Sequence, residues 1–307
     1  MPPVAITARD VAAAAGGRTV CGDPAAPIGR IVIDSRGIAQ GDFFVAIRGE
    51  RFDGHDFVAQ AFESGAGGAL VDRAVPAPAG RLVIEVDDTT RALQAIARDV
   101  RRRSGARVVA ITGSAGKTTT KEVCAELLSA RYEVFRNKGN LNNHIGLPLS
   151  LLELRAGPEV AVVELGMNHP GEISTLVGIA EPEVRVWTNV GDAHIGFFDS
   201  ADAIADAKAE ILEGAAPDAV LVANADDTRI MSRVSRFAGR TITFGVDRDA
   251  DVRASAVEAR GLDGVTAVVS TPAGSFRLES PLLGLGNRSN VLAATAVAVT
   301  LEIPLDD

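Results

Sequence analysis

Two apolar patterns alternate along most of the chain. Short runs rich in β-branched residues, such as Val108–Thr112 and Val160–Leu165, are typical of buried parallel strands. Longer segments with apolar residues at helical spacing, such as Thr118–Ala130, lie between them. This alternation predicts a doubly wound, mostly parallel sheet. Further strands are predicted at Val184–Asn189, Ala219–Ala223 and Thr241–Phe244.

Beyond Phe244 the pattern changes to short strands with no helices between them. These runs predict a few antiparallel strands, after which one more helix follows. The strands are predicted at Val252–Glu258, Val265–Ser270 and Ser275–Glu279, and the helix at Ser289–Leu301. We therefore expect residues 104–307 to form one domain, with a mostly parallel sheet and a few antiparallel strands.

Residues 1–103 are predicted to form a separate, smaller α/β domain. Thr7 is a suitable N-cap for a helix over Ala8–Ala15, which Gly16 and Gly17 would end. Strands are predicted at Ile31–Ile33, Asp42–Ile47, Ala69–Val71 and Leu82–Val86, and a second helix at Thr90–Arg103. The arginines that end this helix are interpreted as a solvated helix terminus, where positive charge is favourable.

Composition narrows the class of protein. A chain of 307 residues with 47% hydrophobic content is long and apolar enough for two globular domains. Its net charge of −9 argues against nonspecific binding to nucleic acid. The two cysteines, Cys21 and Cys124, are too far apart to suggest a disulfide framework or a zinc site. No signal peptide and no apolar stretch of about 20 residues is recognisable, so we expect a cytoplasmic protein.

The segment "VVAITGSAGKTTTKE" has the features of a phosphate-binding loop. Gly113–Thr118 lies between a predicted strand and a predicted helix, where backbone N–H groups and the helix dipole favour an anion. Its spacing, G-x-x-G-K-T, is shorter than the common G-x-x-x-x-G-K-[ST]. Lys117 could reach the outer phosphates, and the Thr118 hydroxyl could bind Mg²⁺. The alternative is a glycine-rich turn with a solvent-exposed lysine.

Other candidates follow from where parallel strands end, since ligands bind at the carboxyl ends of such strands. Glu164 ends an apolar strand and suits Mg²⁺, although it could instead be a salt-bridged or solvent-facing residue. His194 also follows a strand, where a histidine is often structural. The same rule selects the segments Asn189–His194 and Asn224–Asp227.

The four lysines of the chain are informative because arginine supplies most of its positive charge. They are Lys117, Lys121, Lys138 and Lys208. Lys121 could be an ordinary helix-surface residue. Lys208 lies beside an apolar stripe of a predicted helix, where a lysine usually extends its ammonium to water. A functional role for Lys208 is the alternative.

Taken together, these segments resemble the Mur ligase family, the ATP-dependent amide-forming enzymes of peptidoglycan precursor synthesis. The resemblance runs from about Ile31 to the C-terminus and includes the compact phosphate loop. The segments "FRNKGNLNNHIGLPLSLL", "VVELGMNHPGEI" and "LVANADD" resemble the family members that add D-alanyl-D-alanine to UDP-N-acetylmuramoyl-tripeptide. The resemblance implies a small N-terminal α/β substrate domain, binding UDP, followed by a P-loop, mostly parallel-sheet ATPase domain with a few antiparallel strands. It also implies a reaction through an acyl phosphate.

The resemblance also implies roles for individual residues. ATP would be bound by Gly113, Ser114, Ala115, Gly116, Lys117, Thr118, Thr119, Asn287 and Asn290. Mg²⁺ would be held by Thr118, Glu164, His194 and Lys208, the last after carbamylation by CO₂. Lys117, Glu164, His194 and Lys208 would be the catalytic residues. The UDP substrate would be bound by Asp34, Ser35, Arg36, Arg48 and Gly49, and its acyl part by Asn140, Asn142, Asn143 and Asn168.

The chain also departs from the family pattern. Gly286 stands where a histidine is common in the motif around the adenine. No C-terminal ligase domain, which in the family grips the incoming amine, is recognisable before Asp307. We therefore expect a monomeric, two-domain chain that binds the UDP substrate but does not complete the amide bond. The alternatives are another Mur-type ligase, a folylpolyglutamate synthetase, or a nucleotide- and UDP-substrate-binding module without full activity.

Overall fold

The chain folds into two compact units in a computed structural model that describes residues 1–191, 196, 198–260, 264–282 and 284–304. The first unit contains Met1–Gly105 together with Pro148–Gly157. The second contains Ala106–Leu147 and the chain from Pro158 onward. None of the helices within the described ranges combines the length and the apolar character that a membrane span requires.

The first unit is built around a sheet of five strands among the described residues, in the order β1-β5-β4-β3-β2. Its elements are α1 (Ala8–Ala15), β1 (Arg18–Cys21), β2 (Ile31–Val32), β3 (Phe43–Val45), α2 (Val58–Glu63), β4 (Gly68–Val71), β5 (Leu82–Glu85) and α3 (Thr89–Ser104). Strands β2 to β5 are parallel, and β1 pairs with β5 in the antiparallel direction. The four predicted strands and both predicted helices are confirmed, whereas β1 and α2 were not predicted.

The first helix shows how closely local sequence determines its ends. The Thr7 hydroxyl accepts a hydrogen bond from the Asp10 backbone N–H, and the Asp10 carboxylate accepts one from the Thr7 N–H. This capping box begins α1 where the sequence predicts it. Gly16 ends the helix with φ of 65°, a left-handed conformation in which glycine is favoured.

A segment distant in sequence completes the first unit. Arg155 donates hydrogen bonds to the carbonyl oxygens of Ile28 and Gly29, each at 2.8 Å. The Val4 N–H in turn donates to the Arg155 carbonyl at 2.9 Å. The periodicity of the sequence gave no indication that residues 148–157 belong with the N-terminal elements.

The second unit contains, among the described residues, a sheet of nine strands in the order β14-β13-β12-β11-β10-β9-β6-β8-β7. Its strands are β6 (Arg107–Thr112), β7 (Val134–Arg136), β8 (Val160–Glu164), β9 (Val184–Trp187), β10 (Val220–Asn224), β11 (Arg240–Gly245), β12 (Val252–Ala259), β13 (Val265–Thr271) and β14 (Gly274–Ser280). Its helices are α4 (Lys117–Ser129), α6 (Glu172–Ala180), α7 (Ala201–Ala209), α8 (Thr228–Met231) and α9 (Leu285–Thr300), while α5 (Gly146–Leu152) has residues in both units.

The predicted α/β class, with a mostly parallel sheet, is confirmed. One detail differs, because β12 was expected among the antiparallel strands. It pairs in parallel with β11 and antiparallel with β13, and so joins the two parts of the sheet. The sequence pattern could not reveal this, since the direction of a strand depends on its partners.

The core of the second unit explains the uninterrupted apolar runs. Every residue of β8 and β10 is buried, as expected for strands covered on both faces. Leu128 of α4 and Leu292 of α9 belong to the same apolar core as Val109 and Val162 of the sheet. The helix that begins at the phosphate loop is therefore fixed to the sheet by packing.

The contacts of Arg155 give a prediction for the first unit. Arg155→Ala removes the donors to the carbonyl groups of the buried Ile28 and the half-buried Gly29, and hydrogen bonds from a charged donor contribute about 2 kcal/mol. We expect the free energy of opening of the β2–β5 sheet to fall by roughly that amount. Hydrogen exchange followed by mass spectrometry measures this directly, which matters because two units need not unfold together.

The control for this prediction is Arg9→Ala, since Arg9 is an exposed arginine of the same unit. We expect the free energy of opening of that variant, measured by hydrogen exchange, to lie within a few tenths of a kcal/mol of the value for the parent chain. Equal exchange of the two variants would contradict the role assigned to Arg155.

Candidate functional site

The predicted phosphate loop lies between β6 and α4, and each of its two glycines is required for a different steric reason. A Cβ atom on Gly113 would lie 1.9 Å from the Thr188 hydroxyl oxygen. Gly116 has φ of +80°, and a Cβ there would lie 2.2 Å from Asn290 Oδ1. Neither position accepts a larger residue without rearrangement of its neighbours. The compact spacing is therefore part of a closely packed loop.

The residues after β9 hold this loop in place. The Asn189 side chain accepts a hydrogen bond from the Ala115 N–H at 2.9 Å and donates one to the Ala115 carbonyl at 2.9 Å. The Ser114 hydroxyl accepts from the Gly191 N–H at 2.9 Å and lies 3.1 Å from the Gly191 carbonyl oxygen. The loop is consequently fixed before any ligand binds.

The N-terminus of α4 is open to an anion. Gly116 is its N-cap and provides no side-chain hydrogen bond, so the first N–H groups of the helix have no capping acceptor. Thr118 is exposed, and its hydroxyl makes no hydrogen bond to another described residue. Thr119 is half-buried on the same turn. These groups are the donors that a bound phosphate needs.

Lys117 lies at the first position of α4. Its Nζ donates a hydrogen bond to the Gly113 carbonyl at 2.7 Å, which curls the side chain back over the loop. Burial lowers the pKa of Lys117, and the negative charge of Glu164 raises it in part. The half-buried ammonium is therefore close enough to Glu164 for their charges to interact.

Glu164 is the last residue of β8 and is almost completely buried. Its Oε1 atom accepts no hydrogen bond, although Lys121 Nζ lies 3.2 Å away at an ion-pair distance. The Glu164 backbone N–H donates to the side chain of Asn137 at 3.3 Å. A buried carboxylate oxygen without a hydrogen-bond donor suits a hard cation such as Mg²⁺.

Lys208, in the last turn of α7, is also buried, with an exposed fraction of 1%. Its side chain therefore does not extend to water as lysines beside an apolar stripe usually do. Burial, together with the smaller effect of the positive charge of Lys117, lowers the pKa of Lys208 to about 7. A large share of these amines is consequently neutral at pH 7.

The structure describes only part of the predicted metal site. His194, predicted as a metal-binding and catalytic residue, lies outside the described residues. Within the ranges that the structure describes, no group of three His, Cys, Asp or Glu side chains is arranged to hold a metal ion. Glu164 and the Thr118 hydroxyl are thus the described groups whose surroundings fit Mg²⁺.

The predicted adenine-site asparagines begin α9. Asn290 is buried, and its Oδ1 accepts a hydrogen bond from the Thr120 hydroxyl at 3.3 Å. Its Nδ2 donates to Asn287 Oδ1 at 3.2 Å. The structure thus brings Asn290 against the phosphate loop at Gly116, while Asn287 lies half-buried beside it.

The four asparagines predicted to lie toward the acyl substrate have different surroundings. Asn142 packs closely against Gly166, because a Cβ atom on Gly166 would lie 2.8 Å from Asn142 Oδ1. Asn143 accepts hydrogen bonds from the backbone N–H groups of Ile145 and Gly146, at the start of α5. Asn140 is exposed, and the backbone N–H of Asn168, also exposed, donates to the Glu172 carboxylate. The structure therefore gives Asn143 a role in holding the backbone.

The predicted UDP-binding residues of the first unit follow β2 and β3. Asp34 caps the turn Ser35–Gly37 and accepts hydrogen bonds from the Arg36 guanidinium, which together with the Arg36 N–H lower the pKa of Asp34 to about 2. Ser35 is buried, and the Gly49 N–H donates to the Phe52 carbonyl at 2.9 Å.

Arg48 belongs to a charged network at the ends of β3 and β4. Its guanidinium donates to Asp72 at 3.2 Å and lies 3.5 Å from Asp53. The buried His55 ring joins the same two residues, with Nδ1 2.6 Å from Asp53 Oδ1 and Nε2 accepting from the Asp72 N–H at 3.0 Å. The position of Arg48 is therefore set by partners on two loops.

Sequence reasoning missed several residues of these sites. The sequence left open that Lys121 is an ordinary helix-surface residue, and its exposed fraction of 1% excludes that reading. Asn137 was missed because β7 was not predicted, although the strand-end rule would then have selected it. Asp72 follows a predicted strand, so the same rule could have found it. His55 carried no signal in the sequence.

Comparison with known proteins identifies the family. The family description "Mur ligase middle domain" matches residues 111–298, and "Mur ligase family, catalytic domain" matches residues 27–101. The UDP-N-acetylmuramoyl-tripeptide–D-alanyl-D-alanine ligase of Bacillus subtilis is 38% identical over 90% of this chain and 60% of its own length. The enzyme of the same name from Synechocystis is 41% identical over 90% of this chain and 59% of its own length. The chain thus spans about 60% of the length of these relatives.

Solved structures give the same result. MurF from Acinetobacter baumannii superimposes with a TM-score of 0.92 at 36% identity, covering 100% of this chain and 67% of that one. MurF from Thermotoga maritima in complex with ADP gives a TM-score of 0.82 at 33% identity, covering 90% of this chain and 64% of that one. Since the middle-domain match alone spans more than half of the residues, the chain belongs to the Mur ligase family.

Proposed function

We propose that this chain carries the ATP-binding and phosphoryl-transfer residues of a ligase that adds D-alanyl-D-alanine to UDP-N-acetylmuramoyl-tripeptide. One observation carries the proposal. The second unit places a closely packed phosphate loop, an uncapped helix N-terminus, Lys117 and the buried Glu164 at the ends of two adjacent strands, β6 and β8. Relatives named for this reaction, and a MurF structure with ADP, support the same assignment.

The proposed chemistry starts from a poor electrophile. A carboxylate oxygen of the tripeptide attacks the γ-phosphorus of ATP, and ADP leaves. The amine of D-alanyl-D-alanine then attacks the acyl carbon of the acyl phosphate, and inorganic phosphate leaves with the electron pair. Lys117 and the N–H groups at the start of α4 hold phosphate oxygens, where charge is stabilised without covalent help from the protein.

Mg²⁺ would be held by Thr118 and Glu164, with His194 proposed from the family resemblance. When bound, the ion neutralises charge on phosphate oxygens. The protein contributes an exposed hydroxyl and the buried carboxylate of Glu164, whose Oε1 accepts no hydrogen bond and lies 3.2 Å from the Lys121 ammonium.

Lys208 is proposed to be carbamylated. Its neutral amine attacks the carbon of CO₂ and releases one proton, so that a carbamate anion replaces the neutral amine. The lowered pKa provides the neutral amine that this step requires. The positive charge of Lys117 opposes an ammonium at this position and favours an anion there.

The first unit is proposed to bind the UDP part of the substrate through Asp34, Ser35, Arg36, Arg48 and Gly49. Arg48 is supported best, because its guanidinium contacts Asp72 and Asp53, and the buried His55 contacts both of these carboxylates. The acyl part of the substrate is proposed to contact Asn140, Asn142 and Asn168. Asn143 is also a proposed contact, in addition to holding the backbone. The cytoplasmic location and the monomeric state also stay predictions.

Trapping of the acyl phosphate tests the proposed function. The purified chain is given ATP, Mg²⁺, UDP-N-acetylmuramoyl-tripeptide and hydroxylamine, which attacks an acyl phosphate to give a hydroxamate. We expect mass spectrometry to detect this hydroxamate only when both ATP and the tripeptide are present. The absence of both the hydroxamate and tripeptide-dependent ADP formation would contradict the proposal. Replacing hydroxylamine by D-alanyl-D-alanine tests the complete reaction in the same assay.

The role of Lys117 gives a second prediction. Lys117→Ala should lower the rate of tripeptide-dependent ADP formation by at least about a hundredfold, because it removes an ammonium that is proposed to hold phosphate oxygens. Lys138→Ala is the matched control, since Lys138 is an exposed lysine to which no role is assigned. Similar rates for the two variants at saturating ATP would show that Lys117 is not needed.

The burial of Lys208 gives a third prediction, on stability and pH. Its pKa is about 7 in the folded chain and 10.5 in an unfolded one, so between these values the unfolded state binds more protons. The free energy of unfolding should therefore rise with pH across that window, by at most about 1.4 kcal/mol per pH unit, with no rise from this group below the window. Urea unfolding in CO₂-free buffer measures it.

Lys208→Met should lose this rise, whereas Lys138→Met should keep it. With ¹³C-bicarbonate at pH 8, the parent chain should show a carbamate resonance that Lys208→Met lacks. An unchanged pH dependence in Lys208→Met would show that the amine is protonated in the folded chain. A carbamate signal that persists in this variant would place the modification elsewhere.

A further inference from the structure

We propose that Lys121 is a positioning residue for metal-dependent nucleotide binding, because it holds Glu164 by its Oε1 oxygen and keeps this carboxylate from pairing with Lys117. The inference rests on the proposed function, in which Glu164 binds Mg²⁺ and Lys117 binds phosphate. It adds a role for a lysine that is not itself proposed to bind Mg²⁺ or phosphate.

The surroundings of Lys121 are unusual for a lysine. It lies one turn after Lys117 on α4 and has an exposed fraction of 1%. Its Nζ donates to the Asn137 carbonyl at 2.7 Å and lies 3.2 Å from both Glu164 Oε1 and Glu122 Oε1. A buried ammonium is costly unless it is paired, so these partners define where it can be.

Asn137 connects the two charged groups. It is buried, its backbone carbonyl accepts the hydrogen bond from Lys121, and its side-chain oxygen accepts one from the Glu164 N–H. Its Nδ2 donates to the Leu141 carbonyl at 3.1 Å, which fixes the amide. The carboxylate of Glu164 is thereby held through its backbone by Asn137 and through its side chain by Lys121.

Competition between two cations explains why this restraint matters. The charge of Glu164 acts on Lys117 as well, yet Lys117 Nζ is hydrogen-bonded to the Gly113 carbonyl and makes no ion pair with the carboxylate. Without Lys121, the half-buried Lys117 would still be a cation on which the charge of Glu164 acts. A Lys117–Glu164 ion pair would occupy both the carboxylate proposed for Mg²⁺ and the ammonium proposed for phosphate.

The test measures metal binding rather than turnover. Mn²⁺ replaces Mg²⁺, and its free concentration is followed by electron paramagnetic resonance in the presence of saturating ADP. Lys121→Met should raise the Mn²⁺ dissociation constant at least about tenfold, the usual cost of losing a residue that orients a metal ligand. ADP binding in EDTA should change less than about twofold by the same argument. The exposed Lys138→Met should match the parent chain in both measurements.

Two further variants separate charge from packing. Lys121→Gln keeps a donor for the Asn137 carbonyl but has no charge, and we expect the same loss of Mn²⁺ affinity as in Lys121→Met. Lys121→Arg keeps the charge and should recover most of the affinity. Circular dichroism and urea unfolding identify any variant that does not fold, and the remaining variants then decide the question.

A double-mutant cycle with Glu164→Gln shows whether Lys121 acts through this carboxylate. Lys121→Met should cause no further loss of Mn²⁺ affinity in the Glu164→Gln background. An equal loss in both backgrounds, or unchanged affinity in Lys121→Met and Lys121→Gln, would overturn the inference alone. Failure of the parent chain to bind Mn²⁺ with ADP would overturn the proposed function and this inference with it.

Discussion

The reciprocal hydrogen bonds between the Asn189 amide and the Ala115 backbone are the interaction on which the candidate nucleotide site depends. A loop with two glycines has high conformational freedom when unfolded, and fixing it costs entropy. The Asn189 pair and the contacts between Ser114 and Gly191 offset that cost within the folded chain. Because the loop leads directly into α4, the same bonds also fix the positions of Lys117 and Lys121 relative to the end of β8.

This arrangement extends to the neighbouring strand ends. Asn224 donates to the Thr188 carbonyl at 2.8 Å, and Asp227 accepts from the Val190 N–H at 2.7 Å. Asp226 accepts hydrogen bonds from three successive backbone N–H groups after β11, those of residues 246–248. The polar residues at the carboxyl edge of the sheet therefore connect the loops to one another as well as presenting groups to a ligand.

The sequence predicted those parts of the fold that depend on local chemistry. The capping residue Thr7, the uninterrupted apolar strands and the glycine spacing around Lys117 each have a local physical cause, and each was found where predicted. The surroundings of Lys121 and Lys208 could not be predicted, because a lysine becomes buried only when distant elements close over it. The family resemblance pointed to Lys208 but gave no reason to single out Lys121.

The partnership of Arg155 with residues near the N-terminus has a consequence for synthesis on the ribosome. Arg155 and Ile28 are separated by 127 positions, and the strand and helix that carry the phosphate loop are translated between them. Domains usually fold in order as they emerge from the ribosome. Here residues 148–157 of the first unit are made only after part of the second unit. The first unit therefore stays incomplete while the phosphate loop is being synthesised.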